Sequence, residues 1–324
     1  MRRPAGGTSA MTQALATVEP QFFILPGKAR LSFGGDEFVV VQLREVVDPA
    51  VGFDVKAALQ VQAIVAAVTS LGMDGIVDIA PAHTGYTIRV RPEELDPRDL
   101  IPILIAAHQK AIAGKGEFAP TFATTVVEIP VFYNDPVTAE VAARFRDRHP
   151  SPAESDLEFV ARVNGFDTVG ELVDAHSAHP FIVTFTGGVP GNAESLQLVP
   201  REMQLRVPRY LSPRTETPAG AVGHGGNTTT IAPADAPSDA QLLGRAAVPV
   251  VDFDNGKGAD GSPFLLSAPT VVKFTPVDES GYDEIVAAYE AGTYEINRAE
   301  VEFDLQQFAA DRLAYSRSLV EELP

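Results

Sequence analysis

The 324-residue chain contains no cysteine. That absence removes disulfides, thiolate nucleophiles and cysteine-ligated metals together. Basic side chains are scarce: 25 lysines and arginines stand against 43 aspartates and glutamates, a formal net charge of −18. A surface of that sign repels phosphate backbones and anionic lipid, so neither nucleic acid nor membrane is expected as a partner. No apolar run approaches the ~20 residues of a membrane-spanning helix. No apolar stretch follows the two arginines of MRRPAGGTSAMTQALATVEP, so residues 1–20 read as a disordered leader, not a signal peptide, and the expected location is cytoplasmic. The chain has no GxxxxGK[ST] loop for an ATP phosphate, no GxSxG elbow for a serine hydrolase and no internal repeat.

What is present is a succession of short strands and amphipathic helices. RLSFGGDEFVVVQLREV reads as a hairpin around Gly34-Gly35-Asp36. Val61, Ile64, Val65, Val68 and Leu71 recur at helical spacing up to a glycine stop at Gly72. GIVDIAPAHTGYTIRVRP contains two more strands, and DPRDLIPILIAAHQKAIAG a second helix that Pro102 kinks or delays. These elements predict a small α+β domain over 21–118, ending in the linker GKGEFAPTFAT. A second unit over 119–280 opens with the strand TVVEIPVFY and two short helices, the first capped by Ser155 with Glu158 in capping-box spacing. Short strands between glycine and proline turns follow, as in a barrel or sandwich. Residues 281–324 predict a helical extension, with Leu305, Phe308, Ala309 and Leu313 on one face. The fold class is therefore α+β, mostly β.

Few residues advertise chemistry. His176 and His179 stand at i, i+3, but no carboxylate or third histidine is placed beside them by spacing, so no metal site is expected. His83 and His224 are isolated and read as structural, while His108 and His149 read as surface positions. Gly225-Gly226 either lets backbone N–H groups approach an anion or serves a turn with positive φ. Arg209 and Arg214, in PRYLSPR, offer either a carboxylate clamp or two structural ion pairs.

Three segments in order, ESDLEFVARVNGFDTVGELVDAHSAHPFIVTF, VPRYLSPRTETPAGAVGHGG and AQLLGRA, resemble the carboxyltransferase region of biotin-dependent urea carboxylase. The wider group includes allophanate hydrolase subunit 1, a 5-oxoprolinase subunit and the sporulation kinase inhibitor. The likeness runs from about Ala29 to the C-terminus and includes GDEFVVVQLREVVDP and GIVDIAPAHTGYTIRV. The resemblance implies a small α+β N-terminal domain followed by a cyclophilin-like β-barrel. It also implies a homologous second carboxyltransferase subunit, with the substrate site between the two. Carboxybiotin would arrive on a separate carrier, because none of Met1, Met11, Met73 and Met203 precedes a lysine, and nothing resembles an ATP-grasp domain. Biotin carboxylase and biotin carrier protein would then be separate partners, with no cofactor bound covalently here.

By this resemblance His224, Asn227, Arg209, Arg214 and, less directly, His176 are the candidate catalytic residues, and Gly225, Gly226 and Gln241 the candidate substrate contacts. The chain departs from the family pattern in three places. TTTIAP and APSDAQ replace an aromatic turn and a Pro-Gly-Gly-aromatic, GGVPGNAESL lacks both aromatics of its segment, and Asp48-Pro49-Ala50-Val51-Gly52 lacks the family's asparagine and arginine. The expected function is a carboxyltransferase-type enzyme component acting on a small urea-, amide- or lactam-like nitrogen compound. Two alternatives stay open: a non-catalytic partner or inhibitor of the same fold, and a biotin-independent enzyme of changed chemistry such as cyclisation or condensation.

Overall fold

The structure, a computed structural model, describes residues 22–43, 52–113, 121–254, 256, 258 and 261–324. The leader 1–20, positions 48–51 of the altered polar run and positions 114–120 of the linker lie outside the described residues.

The first layer is a five-stranded sheet with two helices. Its elements are β1 (Phe23–Ile24), β2 (Arg30–Gly34), β3 (Phe38–Gln42), α1 (Val55–Thr69), β4 (Ile76–Ala82), β5 (Gly85–Val90) and α2 (Leu100–Ala113). The strands are ordered β1-β2-β3-β5-β4, all antiparallel. Alternation puts Leu31, Val39, Val41, Tyr86 and Ile88 on one face, where Val61, Ile64, Leu100 and Leu104 cover them. Pro102 falls in the first turn of α2, where its missing N–H costs no helical hydrogen bond, so the helix starts at Leu100 without interruption. Helix α1 has a second apolar face, Val55, Ala58, Leu59 and Ala63, and this face packs on the outside of the second unit.

The second unit begins with β6 (Thr121–Tyr133), a 13-residue strand. Three helices follow: α3 (Pro136–Arg144), α4 (Asp156–Val163) and α5 (Val169–Ala178). Both halves of the Ser155–Glu158 capping box form, and Thr168–Glu171 makes a second one at α5. Then come β7 (Phe181–Thr186), β8 (Ala193–Gln197), β9 (Ala221–Gly225), β10 (Thr228–Ile231), β11 (Gln241–Ala246) and β12 (Val271–Pro276). Hydrogen bonding runs β6-β11-β9-β10-β8-β7-β12 and returns to β6, closing a seven-stranded barrel. Only the β12–β6 pair in this circuit is parallel. The mixed α+β architecture with a closed barrel is the expected class.

The tail holds α6 (Glu279–Glu290), β13 (Arg298–Asp304), α7 (Leu305–Ala310) and α8 (Arg312–Glu321). The strand departs from the helical extension expected here, although Ala299, Val301 and Phe303 alternate with glutamates, the period of a half-buried strand. β13 adds antiparallel to the first half of β6, and Phe303 stacks on Phe122 at 5.0 Å. Asp311 ends α7 and caps α8 by accepting the Ala314 N–H, which splits the expected single face between Ala309 and Leu313.

Candidate functional site

The two histidines proposed for chemistry face the barrel interior. Thr229 and Ile231 alternate inward along β10, as do Val222 and His224 along β9, where His224 is paired in register with Thr229. His224 Nε2 lies 3.1 Å from the Leu205 carbonyl, which can only accept, so this nitrogen carries the proton. His224 Nδ1, at 2.8 Å from Thr229 Oγ1, then accepts the hydroxyl proton. Thr229 Oγ1 in turn accepts from His176 Nε2 at 3.1 Å, and His176 Nδ1 accepts from Tyr133 O–H at 2.8 Å. One directed chain therefore runs Tyr133 → His176 → Thr229 → His224 → Leu205, with both imidazoles neutral. Burial drives the His176 imidazole well below its ordinary value, helped by His224, and pushes His224 down to about 4. Both ring nitrogens of His176 are engaged, by Tyr133 and Thr229. Among the described residues no group of three or more metal-ligating side chains forms.

His108 and His149 are not surface residues: each is 1% exposed. His108 follows Leu100 and Leu104 on the buried face of α2, where its Nε2 meets the Tyr86 hydroxyl at 2.9 Å. His149 sits edge-on between the rings of Phe159 and Tyr210.

Asn227 joins the two units. Its Oδ1 accepts the Phe53 N–H at 3.0 Å, and its Nδ2 donates to the Phe53 carbonyl at 2.8 Å and to Gln204 Oε1 at 3.2 Å. Gly52, at φ +73°, must be glycine, since a Cβ there would lie 2.4 Å from Asn227 Oδ1. The N–H of Gly226 is bound to the Val207 carbonyl at 2.9 Å, and its φ of +64° makes the Gly225-Gly226 pair a turn. Gly225 has a separate role. A Cβ there would lie 2.9 Å from Arg209 Cγ, so the bare backbone is the floor on which the Arg209 side chain lies.

Arg214 and Gln241 anchor the covering loop. Arg214 is fully buried, donates to the Ala240 carbonyl at 2.7 Å and to Thr217 Oγ1 at 3.3 Å, and lies 4.4 Å over the Tyr210 ring. Gln241 Nε2 donates to the Pro208 carbonyl at 2.8 Å. Arg214 thus spends its guanidinium within the fold and shares no hydrogen-bond partner with Arg209.

Of the sequence-proposed residues, Arg209 borders two cavities and Gly226 one of them. The Arg209 guanidinium donates to Asp239 Oδ1 at 2.8 Å, to Thr228 Oγ1 at 3.2 Å and to the Gly225 carbonyl at 3.3 Å. On the outer barrel face, Thr230 stands in register with Gly223 on one side and Glu194 on the other. Glu194, Arg209, Asp239, Thr230, Asn192 and Gly223 border a cavity of about 260 Å³, with Pro233, Ala236 and Pro237 of the altered loop above it. Gly188, Val189 and Asn192, from the segment that lacks the aromatics, join it to a neighbouring cavity of about 420 Å³. On the other side of Arg209 lies a cleft of about 550 Å³ bordered by Gly52, Arg206 and Gly226.

Glu194 is a site residue that sequence reasoning missed. Its Oε2 lies 3.1 Å from His83 Nε2, and His83 Nδ1 lies 2.7 Å from Thr184 Oγ1. Burial alone would raise the Glu194 carboxyl, but the hydrogen bond and charge of His83, with Arg209 and Thr228, outweigh it and hold the group below its ordinary range. The arrangement presents an ionised acceptor and a guanidinium donor to one small space. Such a pair can orient a compound having both N–H and carbonyl groups.

Comparison with known proteins locates the chain. Residues 29–259, more than half of its length, match the family described as carboxyltransferase domain, subdomain C and D. The chain is 26% identical over 253 residues to a 5-oxoprolinase subunit of Bacillus subtilis, covering 76% of this chain and 92% of the relative. Over 154 residues it is 31% identical to an Emericella nidulans chain carrying the name urea carboxylase, covering 47% of this chain but 12% of the relative. The fold aligns with the crystal structure of Kluyveromyces lactis urea carboxylase at a TM-score of 0.71 and 22% identity, over 93% of this chain and 26% of that one. The chain therefore spans a minor part of the urea carboxylases it matches and nearly the whole of the 5-oxoprolinase subunit. With its closed barrel and a match over most of both units, the chain belongs to the carboxyltransferase domain family, subdomains C and D.

Proposed function

We propose that this chain is the carboxyltransferase-type component of a multi-subunit enzyme, acting on a small urea-, amide- or lactam-like nitrogen compound between Glu194 and Arg209. The observation that carries this reading is the convergence of an anionic acceptor and a guanidinium on one cavity of about 260 Å³ in a chain of this family. Glu194 accepts an N–H of the ligand and fixes the direction of the nitrogen lone pair. As the N–H proton passes to Glu194, negative charge spreads from the nitrogen onto the ligand's carbonyl oxygen, to which Arg209 donates. The nitrogen bonds to the carboxyl carbon, that carbon's bond to its carrier breaks, and the carrier leaves with the proton. Pro233, Ala236 and Pro237 of the altered loop border the site.

A relative named as a subunit supports a partner chain, here a homologous second carboxyltransferase subunit. Carboxybiotin, when delivered by a biotin carrier protein loaded by biotin carboxylase, supplies the carboxyl group. The test is reconstitution of the chain with its second subunit, biotin carboxylase, carrier and ATP. Addition of urea, acetamide or 2-pyrrolidinone should raise the rate of ADP release. A rate unaffected by all three compounds contradicts the reading.

A further inference from the structure

Glu194 lies in the barrel, but the group that holds it comes from the first layer. His83 sits in the turn between β4 and β5 and crosses the seam between the units. Its ring stacks on Phe53 with centroids 4.0 Å apart and an interplanar angle of 27°, and Phe53 is itself clamped by Asn227. The ring of Phe185 closes another side at 5.6 Å. Both imidazole nitrogens have partners, Thr184 on one side and Glu194 on the other.

We infer that His83 is a positioning residue for Glu194, and that the cavity selects a neutral ligand with N–H donors beside a carbonyl over one that carries a carboxylate. This rests on the function proposed above for the same cavity. His83 Nε2 faces a carboxylate, so it carries a proton and donates. Thr184 can donate to Nδ1 of the neutral ring or accept from Nδ1–H of the imidazolium, so the bond to Glu194 persists in either form. The carboxylate is thereby fixed as an acceptor in one rotamer. Three charged groups border the cavity, Glu194, Asp239 and Arg209. Arg209 is matched by Asp239 at 2.8 Å, and His83 stands behind Glu194, outside the cavity lining, so the Glu194 carboxylate is the charge that faces a ligand. A carboxylate brought into this small space meets a like charge, whereas an amide or ureide N–H meets an acceptor.

The test compares two lactams with the same ring, 2-pyrrolidinone and 2-pyrrolidone-5-carboxylate, by NMR titration of the full chain with its copurifying partners. The neutral lactam should bind at least about tenfold more tightly, and Glu194→Gln should remove most of that preference. His83→Phe, which keeps the stack on Phe53, should weaken neutral-lactam binding and move the Glu194 carboxylate titration upward. His83→Gln, which restores an N–H donor, should recover both, and it carries the positioning test with Thr184→Val if His83→Phe does not fold. Equal or tighter binding of the carboxylated lactam overturns the selectivity. A Glu194 titration unmoved in every folded variant overturns the role of His83. Failure of both lactams to bind the wild-type chain removes the proposed function itself, and this inference with it.

Discussion

Acidification from about pH 6.5 toward 4.5 is expected to destabilise the barrel before most of its carboxylates protonate. His224 is pushed from 6.5 to about 4 by burial inside the barrel. Burial also lowers His176, His108 and His179. A histidine depressed in the folded state binds a proton more readily when unfolded, so stability present above 6.5 is lost as pH falls through the unfolded value toward the folded one. For His224 alone the full loss is on the order of 3 kcal/mol. Overall charge acts in the opposite direction, because protonation relieves self-repulsion in a chain of net charge −18. Denaturant midpoints measured from pH 7.5 downward should therefore fall between about 6.5 and 4.5, the histidine window. A flat or rising midpoint there contradicts the buried, neutral Tyr133–His176–Thr229–His224 chain.

Replacing Arg209 by alanine is expected to lower kcat/KM by roughly 10²–10³, the usual consequence of losing one donor to a developing oxyanion. Folding should survive, because the Arg209 and Asp239 side chains are each 38% exposed and Asp239 is left partly in water. Arg209→Lys should recover only part of the loss. A single ammonium cannot span Asp239, Thr228 and the Gly225 carbonyl as the planar guanidinium does. The reconstituted ADP-release assay, with thermal melts of each variant alongside, gives the result. Undiminished turnover in a folded Arg209→Ala protein removes Arg209 from the site.

The local elements are legible in the sequence because their signals are local. Helix α1 declares one face at Val61, Ile64 and Val68, and Ser155 with Glu158 marks the start of α4. The second face of α1 is hidden, since alanines at 58 and 63 gain meaning only when a barrel is placed against them. The candidate site is legible in part. Arg209 borders the cavity, and the loop altered from the family pattern lies above it. His176, His224 and Asn227 carry polar side chains typical of active sites, yet each is hydrogen-bonded within the fold. His83 and Glu194 give no joint signal, because they are 111 positions apart and only the docking of one layer on the other brings them to 3.1 Å. Glu194 reads locally as an outward residue of a strand, and His83 as a turn residue.

The most direct measurement is a crystal structure of the full chain soaked with urea. The account predicts ligand density on the outer barrel face within hydrogen-bonding distance of both the Glu194 carboxylate and the Arg209 guanidinium. Urea bound instead over Gly226 in the Arg206 cleft, with the Glu194 cavity empty, would contradict it.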